Sequence, residues 1–370
     1  MSDNAKTFPT YESIKVRPLI NCRGTFTMIS GSVILPEVRK AMAEASKRYV
    51  NMDELADGVG RRIAELMQCE WGLIVNGCAA ALCQITAACV AGSDPEKMSR
   101  LPNTEGMKSE VIVQVNHRHV YDHAVRMVGV RMIDVVTRAD LEAAIGERTA
   151  MLLIFGDAGD RGEITVKDMA QIGHDHGVPS FVDAAAERPD VPNRYLEDGV
   201  DAVGYSGGKC LRGPQAAGMV LGNNKELLQA AFLNGAPHHA LGRPMKAGKE
   251  EVMGMLAAVE QWVKRDHEAE WKEWERRLAT ITDAVSGVKS LETSVRTPGR
   301  SNVSPHLSIT WDSEAVGMTA QEVQQALSSG EPRIVVPAHG DGFSVNPYMM
   351  EDGEDEIVAK RLKEVFNGAA

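Results

Sequence analysis

Seven short apolar runs constrain this chain more than any other feature. They lie at residues 72–75, 109–115, 131–136, 150–155, 179–183, 202–205 and 217–221, most of them separated by helix-length segments. Strands joined by helices need crossover connections, which lay successive strands parallel in one sheet with helices on its faces. The spacing therefore predicts an α/β fold with a mainly parallel sheet. A functional site then belongs at the carboxyl ends of its strands.

Helix signals fall between the runs. Thr165 and Asp168 stand at the N-cap and third position of one helix, and Gly177 closes it. Val252, Met255, Leu256, Val259, Trp262 and Val263 recur at helical spacing, which predicts one long helix over about residues 248–285. Beyond Gly287 the pattern changes. It predicts a strand at 304–311, a helix at 319–327 capped by Thr319 and Glu322, strands at 333–337 and 342–346, and a last helix at 354–366. The expected organisation is an N-terminal arm (1–30), a large domain (31–245) and a part with the linking helix and a small C-terminal α+β domain (246–370).

The 370 residues are enough to bury a sizeable core, and the net charge of −11 argues against a general nucleic-acid binder, which needs a basic face for phosphates. Residues 1–20 are polar and lack the apolar centre of a signal peptide. The longest apolar stretch, 73–92, contains Asn76, Gln84, Thr86 and several alanines. It reads as strand, turn and buried helix and not as a membrane span. A cytoplasmic protein with no membrane or nucleic-acid partner is expected. The six cysteines show no C-x-x-C spacing, so buried reduced thiols are expected. Only Cys78 and Cys210 sit inside motifs.

Four segments could carry chemistry. Lys209 lies in SGGKCLRGPQ (206–215), just after a strand, among small residues that let a planar ring approach and offer N–H groups to a phosphate. The string alone admits three roles for it: a Schiff-base lysine, the lysine of a Ser-x-x-Lys hydrolase, or a solvated loop residue. Asp183 ends a strand one helix and one strand earlier. It suits the carboxylate that keeps a pyridine nitrogen protonated, and equally a helix cap. At NGCAA (76–80) a strand meets a small-residue turn that opens a helix, which is either a phosphate cradle or a tightly packed buried helix. NHRHVYDH (116–123) offers a stacking ring, or a metal site made from His117, His119, Asp122 and His123. The H-x-H-x-x-D-H spacing is one residue too long for the metallo-β-lactamase string, so no metal is expected. His174 and His176 are expected to be solvated.

Taken in order, these pieces resemble a fold-type I enzyme of pyridoxal 5′-phosphate (PLP), in the selenocysteine synthase-like group. That group includes L-seryl-tRNA selenium transferases and D-glucosaminate-6-phosphate ammonia-lyases. The likeness runs from about residue 18 to 366. It rests on RPLINCRGT (17–25), NGCAA (76–80), Val182 with Asp183, SGGKCLRGPQ (206–215), RPMK (243–246) and Lys249. It implies the fold-type I PLP-dependent transferase fold, with PLP held by Lys209 as a Schiff base and Asp183 against the pyridinium. Gly77, Cys78, Ala79 and Ser206 would line the phosphate site. His119 would be the stacking ring, with His117 and Tyr121 next to it in order of preference. The resemblance also implies a homodimer or larger homo-oligomer built from dimers, with residues 1–24 packed on a neighbouring subunit.

There are two departures. Selenium transferases carry a tRNA-gripping N-terminal domain, whereas this acidic chain starts almost at the catalytic region, so a tRNA-bound role is not expected. The strand at 343–347 also lacks an arginine for a substrate carboxylate; Arg212, Arg23 and Arg333 are the expected substitutes, with Arg300 and His306 behind them. The expected activity is that of a lyase on an amino acid, with a hydroxylated, aldonate-type amino acid suiting the ammonia-lyase likeness. Lys209 removes the Cα proton, a β-substituent leaves, and a 2-oxo acid and ammonia result. The alternative is a racemase or epimerase in which His117, His119 or Cys210 supplies the second acid or base. Selenium-transferase-like activity and a metallo-hydrolase stand behind these.

Overall fold

A computed structural model of the chain describes residues 8–301 and 303–368. Residues 1–7 of the expected N-terminal arm lie outside the described residues. Contacts divide the chain into two compact units. The larger comprises Gly31–Arg265 with Gly299–Val303, and the smaller Met1–Ser30, Asp266–Pro298 and Ser304–Ala370.

The larger unit is built on a seven-stranded sheet. Its strands are β1 (Trp71–Val75), β2 (Glu110–Gln114), β3 (Arg131–Val135), β4 (Thr149–Phe155), β5 (Ser180–Asp183), β6 (Ala202–Ser206) and β7 (Gly218–Gly222). All seven apolar runs are strands. The order across the sheet is β1-β7-β6-β5-β4-β2-β3. Only β7 runs against the rest, pairing antiparallel with both β1 and β6. β2 and β5 are buried along their whole length and β4 along all but its last residue, as expected of strands covered on both faces.

The helix Gly77–Ala91 follows β1 and is buried on nearly every side, because its alanines, cysteines and glycine offer little bulk and no polar face. Glycines let its start seat against the sheet. A methyl group at Gly218 would lie 2.7 Å from the Gly77 carbonyl carbon, and one at Gly204 would lie 2.9 Å from Cys78 Sγ. Glycine inside a strand run marks such close approaches. Thr165 caps the helix Val166–Asp175 through the Asp168 N–H, as the sequence predicts.

The predicted long helix over 248–285 is two helices, Lys249–Trp262 and His267–Val285. Asp266 breaks it by acting as N-cap, accepting from the Ala269 N–H at 2.9 Å. The first helix packs on Pro36–Ala45 within the larger unit, while the second belongs to the smaller one. The smaller unit carries a four-stranded antiparallel sheet, ordered Ala338–His339, Gly342–Val345, His306–Trp311 and Leu291–Arg296. Beside it, Leu19–Asn21 pairs parallel with Arg333–Val335. That pairing places the described part of the first thirty residues inside this unit. Leu291–Arg296 was not foreseen; it is exposed along most of its length and so lacks a buried alternating face.

Candidate active site

The carboxyl ends of β1, β2, β4, β5 and β6 lie at one edge of the sheet, because these strands are parallel. From them come Gly77, the 115–121 loop, Phe155, Asp183 and Ser206. Register fixes the neighbours: Phe155 pairs with Asp183, Asp183 with Gly204, and Ser206 with Gly218.

Asp183 is buried, at 2% exposure. A buried carboxylate needs donors to replace its lost hydration. Its Oδ1 has two, the Ala185 N–H at 3.1 Å and the Cys78 thiol at 3.2 Å. Its Oδ2 accepts no hydrogen bond among the described residues, and the nearest cationic candidate is His119 Nε2 at 3.8 Å, beyond bonding range. The Cys78 thiol is the donor here, because burial first and the Asp183 charge second push it well above the ordinary thiol range.

His119 is held from both sides. Its ring stacks on Phe155 with centroids 4.2 Å apart and planes at 26°. Its Nδ1 accepts the Tyr121 N–H at 3.2 Å, which assigns the proton of the neutral ring to Nε2. That nitrogen is buried without a hydrogen-bond partner among the described residues. His117, two residues earlier, is engaged at both ring nitrogens. Nδ1 accepts from the Phe155 N–H at 3.2 Å and Nε2 donates to the Arg161 carbonyl oxygen at 3.0 Å. Burial lowers its pKa, so it stays neutral and structural. Tyr121 is 54% exposed, its ring centroid 5.9 Å from that of His119.

The helix opening at Gly77 has no side-chain cap, because the Asn76 amide donates to the Lys246 carbonyl oxygen at 2.8 Å instead. Among the described residues its first N–H groups thus have no side-chain acceptor. Gly77 has φ +74°, and a methyl group there would meet nothing within 4 Å. Ala79 is exposed beside it. The Cys78 side chain turns inward to Asp183, so only its backbone is left for the phosphate role expected of it. Ser206 ends β6 half-buried, its hydroxyl without a partner among the described residues.

Lys209 is half-buried in the turn after β6, and among the described residues no hydrogen bond or ion pair holds its ammonium. Its charge acts on the thiols of Cys78 and Cys210. The turn itself is fixed. Gly208 packs on Gln215, Gly207 N–H donates to the Ala217 carbonyl at 2.8 Å, and Cys210 Sγ donates to the Glu187 carbonyl at 3.2 Å. Burial pushes the Cys210 thiol up to about 12. It is a packing group and not an available acid.

Glu187, whose carbonyl holds the Cys210 thiol, is itself tied down. Its carboxylate is buried and accepts from Tyr195 Oη at 2.9 Å and Arg300 Nε at 2.7 Å. Arg300 is therefore committed to Glu187 and is not a free clamp for substrate. Arg212 sits at φ +52° with Nε bonded to the Val33 carbonyl oxygen at 2.9 Å. Arg23 and Arg333 belong to the smaller unit. There Arg23 lies 4.5 Å from the Phe26 ring centroid, and Arg333 pairs in register with Leu19. His306, in the same unit, contacts the Asn346 amide at 3.0 Å. The metal alternative finds no support in geometry. Asp122 pairs with Arg118 and His123 with Arg126, and no three ligating side chains converge among the described residues. His174 and His176 are exposed, as expected.

Sequence reasoning missed Phe155, the Ala185 N–H and the Glu187–Tyr195–Arg300 group. Phe155 could have been found as the strand-end neighbour of Asp183, but only once the sheet register was known. The other two had no local signal.

The unpaired Lys209 amine, the open Asp183 Oδ2, the uncapped helix start and the His119 ring fit the reactive group, ring nitrogen, phosphate and ring face of PLP. Residues 19–290 match the protein family described as SelA, L-seryl-tRNA selenium transferase. The chain is 27% identical to a D-glucosaminate-6-phosphate ammonia lyase of Salmonella typhimurium, over 97% of this chain and 98% of that one. It is 30% identical to a 5′-C-glycyluridine monooxygenase-decarboxylase of Streptomyces sp., over 96% and 92%. The solved structure of a D-glucosaminate-6-phosphate ammonia-lyase is similar with a TM-score of 0.86 at 27% identity, covering 98% and 99% of the two chains. A serine palmitoyltransferase of S. paucimobilis with bound PLP shares the fold alone, with a TM-score of 0.58 at 14% identity over 95% and 88%.

Proposed function

The chain belongs to the L-seryl-tRNA selenium transferase (SelA) family, with the fold of the fold-type I PLP enzymes, and from that premise we propose that it is a PLP-dependent lyase. Its proposed substrate is a hydroxylated amino acid, which it converts to a 2-oxo acid and ammonia. The observation that carries the reading is the buried Asp183 with one oxygen uncommitted, on the same sheet edge as an unpaired Lys209. The full-length likeness to an ammonia lyase supports the reaction class.

The cofactor, once bound, supplies an electron sink that acidifies the substrate Cα–H. The protein's part is to hold and move protons. Asp183 Oδ2 holds a proton at the ring nitrogen, stabilised in turn by the opposite charge. The N–H groups at Gly77, Cys78 and Ala79, with the Ser206 hydroxyl, hold the phosphate at a helix N-terminus. His119 covers a ring face, backed by Phe155. Lys209 Nζ would hold the cofactor and, once free, would be the base that takes the proton from the substrate Cα. The same proton, returned from Lys209, would let a β-hydroxyl depart as water, and hydrolysis of the freed enamine by one water would give the oxo acid and ammonia.

Two of the three groups considered for the second acid of a racemase, His117 and Cys210, are engaged elsewhere, so elimination is the better reading. A homo-oligomer built from dimers in the cytoplasm is part of the proposal. No helix among the described residues is long and apolar enough to cross a membrane.

The test is spectroscopic, then chemical. The purified protein is expected to take up PLP, with a visible absorption band that borohydride removes while fixing the cofactor on Lys209. Lys209→Ala should lose the band and at least about a thousandfold in turnover. A screen of D- and L-hydroxyamino acids should yield oxo acid without racemised substrate. A protein that takes up no PLP, or that racemises without releasing ammonia, refutes the reading.

A further inference from the structure

We infer that Cys78 is a positioning residue for Asp183: its thiol fixes the carboxylate so that Oδ2, and not Oδ1, is presented to the ring nitrogen of PLP. The inference rests on the cofactor placement proposed above.

A carboxylate on a strand end can rotate about its last bond, and either oxygen can meet a partner. Here Oδ1 is tied twice, by the Ala185 N–H from its own chain segment and by Cys78 from the helix across the sheet. Cys78 is 3% exposed, so its thiol is shielded from bulk solvent. The fit is close. The position a methyl on Gly204 would occupy is 2.9 Å from Sγ and 2.8 Å from Phe181 Cζ, so glycine there makes room for the sulfur. A thiol is a weak donor. It orients the carboxylate while drawing little charge from Oδ2.

Cys78 also stands in the first turn of the helix whose N–H groups have no side-chain cap. One residue thus joins the two ends of the cradle, with its backbone toward the phosphate side and its side chain on the acid meant for the ring nitrogen. Cys83 provides the comparison. It lies on the same helix, is fully buried, and has no hydrogen-bond partner among the described residues.

The experiment uses the full-length protein, stripped of cofactor and titrated with PLP, reading the apparent Kd and the pH midpoint of the visible band. Apo-protein Tm confirms folding. Cys78→Ala should bind PLP about five- to tenfold more weakly and shift the band's midpoint, as expected for losing one hydrogen bond from a weak donor. Cys78→Ser, which keeps a donor, should bind within about twofold of wild type, as should Cys83→Ala. Cys78→Val is a second donor-free variant should the alanine not fold. Equal loosening in Cys83→Ala, or a donor-free Cys78 variant that matches wild type in both Kd and midpoint, overturns the inference while leaving the PLP reading intact. A wild-type protein that takes up no PLP overturns both.

Discussion

Replacing Arg300 with methionine should expose how Glu187, the partner of the turn that carries Lys209, is held. Glu187 has a side chain only 1% exposed and keeps its charge through Arg300 Nε at 2.7 Å and Tyr195 Oη at 2.9 Å. Asp190 lies a further 3.4 Å from the same guanidinium. Methionine fills much of the arginine's volume but leaves the carboxylate buried with one neutral donor. Removing one partner of a buried ion pair costs about 3–5 kcal/mol, because the remaining charge is desolvated and uncompensated. Arg300 keeps 23% of its side chain in solvent, so the low end, about 3 kcal/mol, applies. In a domain of 150–250 residues each kcal/mol moves Tm by about 2–4 °C, giving a loss of roughly 6–12 °C at neutral pH.

The deficit should also depend on pH. Burial raises the Glu187 pKa above its ordinary 4.5 and the Arg300 charge opposes that rise, so losing Arg300 raises it further. A carboxyl whose folded-state pKa lies above its unfolded value costs stability when ionised, and the cost fades as pH falls through the folded pKa. The gap between Arg300→Met and wild type should therefore be full at pH 8 and should narrow towards pH 5. Glu187→Gln with Arg300→Met should recover more than half of the loss, since no buried charge remains. Calorimetry of Arg300→Met, Glu187→Gln and the double variant across that range is the assay. A variant within about 1 °C of wild type, a gap unchanged from pH 8 to 5, or a double variant as unstable as the two single losses added, would refute the reasoning.

The two neighbouring histidines should separate cleanly. His117→Phe should cost about 1–3 kcal/mol of stability by stranding the Arg161 carbonyl and the Phe155 N–H. Because burial lowers the His117 pKa, it contributes stability above its ordinary 6.5 that is lost on acidification, and the variant should flatten that limb of the Tm–pH curve. His119→Ala should instead weaken PLP binding with little change in apo-protein Tm; equal behaviour of the two variants would contradict these assignments. The thiols should be silent towards a disulfide reagent at pH 8 until the protein is denatured. Burial pushes Cys69 to about 11, Cys83, Cys89 and Cys210 to about 12, and Cys22 and Cys78 upward as well. Rapid reaction of a native thiol would show that one of these sites is open.

The sheet was legible because its signal is local. Strands covered on both faces must be apolar throughout, so six of the seven announced themselves as short buried runs, while the edge strand β3 is half-exposed; separation by helix-length segments indicated a mainly parallel sheet. The same logic put Asp183 and Lys209 just past strand ends, at the edge where such folds bind ligands. The glycines of β6 and β7 were visible too, though not what they make room for.

What pairs across space had no such signal. His117 and His119 are two residues apart in an irregular loop, and nothing local says which ring is tied at both nitrogens and which keeps one free. The break between the helices Lys249–Trp262 and His267–Val285 was hidden, since apolar spacing up to Val263 and the charged stretch beyond it both suit a helix. Cys78 is the clearest case. From the sequence it was a small residue in a phosphate turn, and the turn is there. Its thiol's bond to Asp183 was decided only in the tertiary structure, where strand register set the acid opposite Gly204 and the missing side chain of that glycine left space for the sulfur.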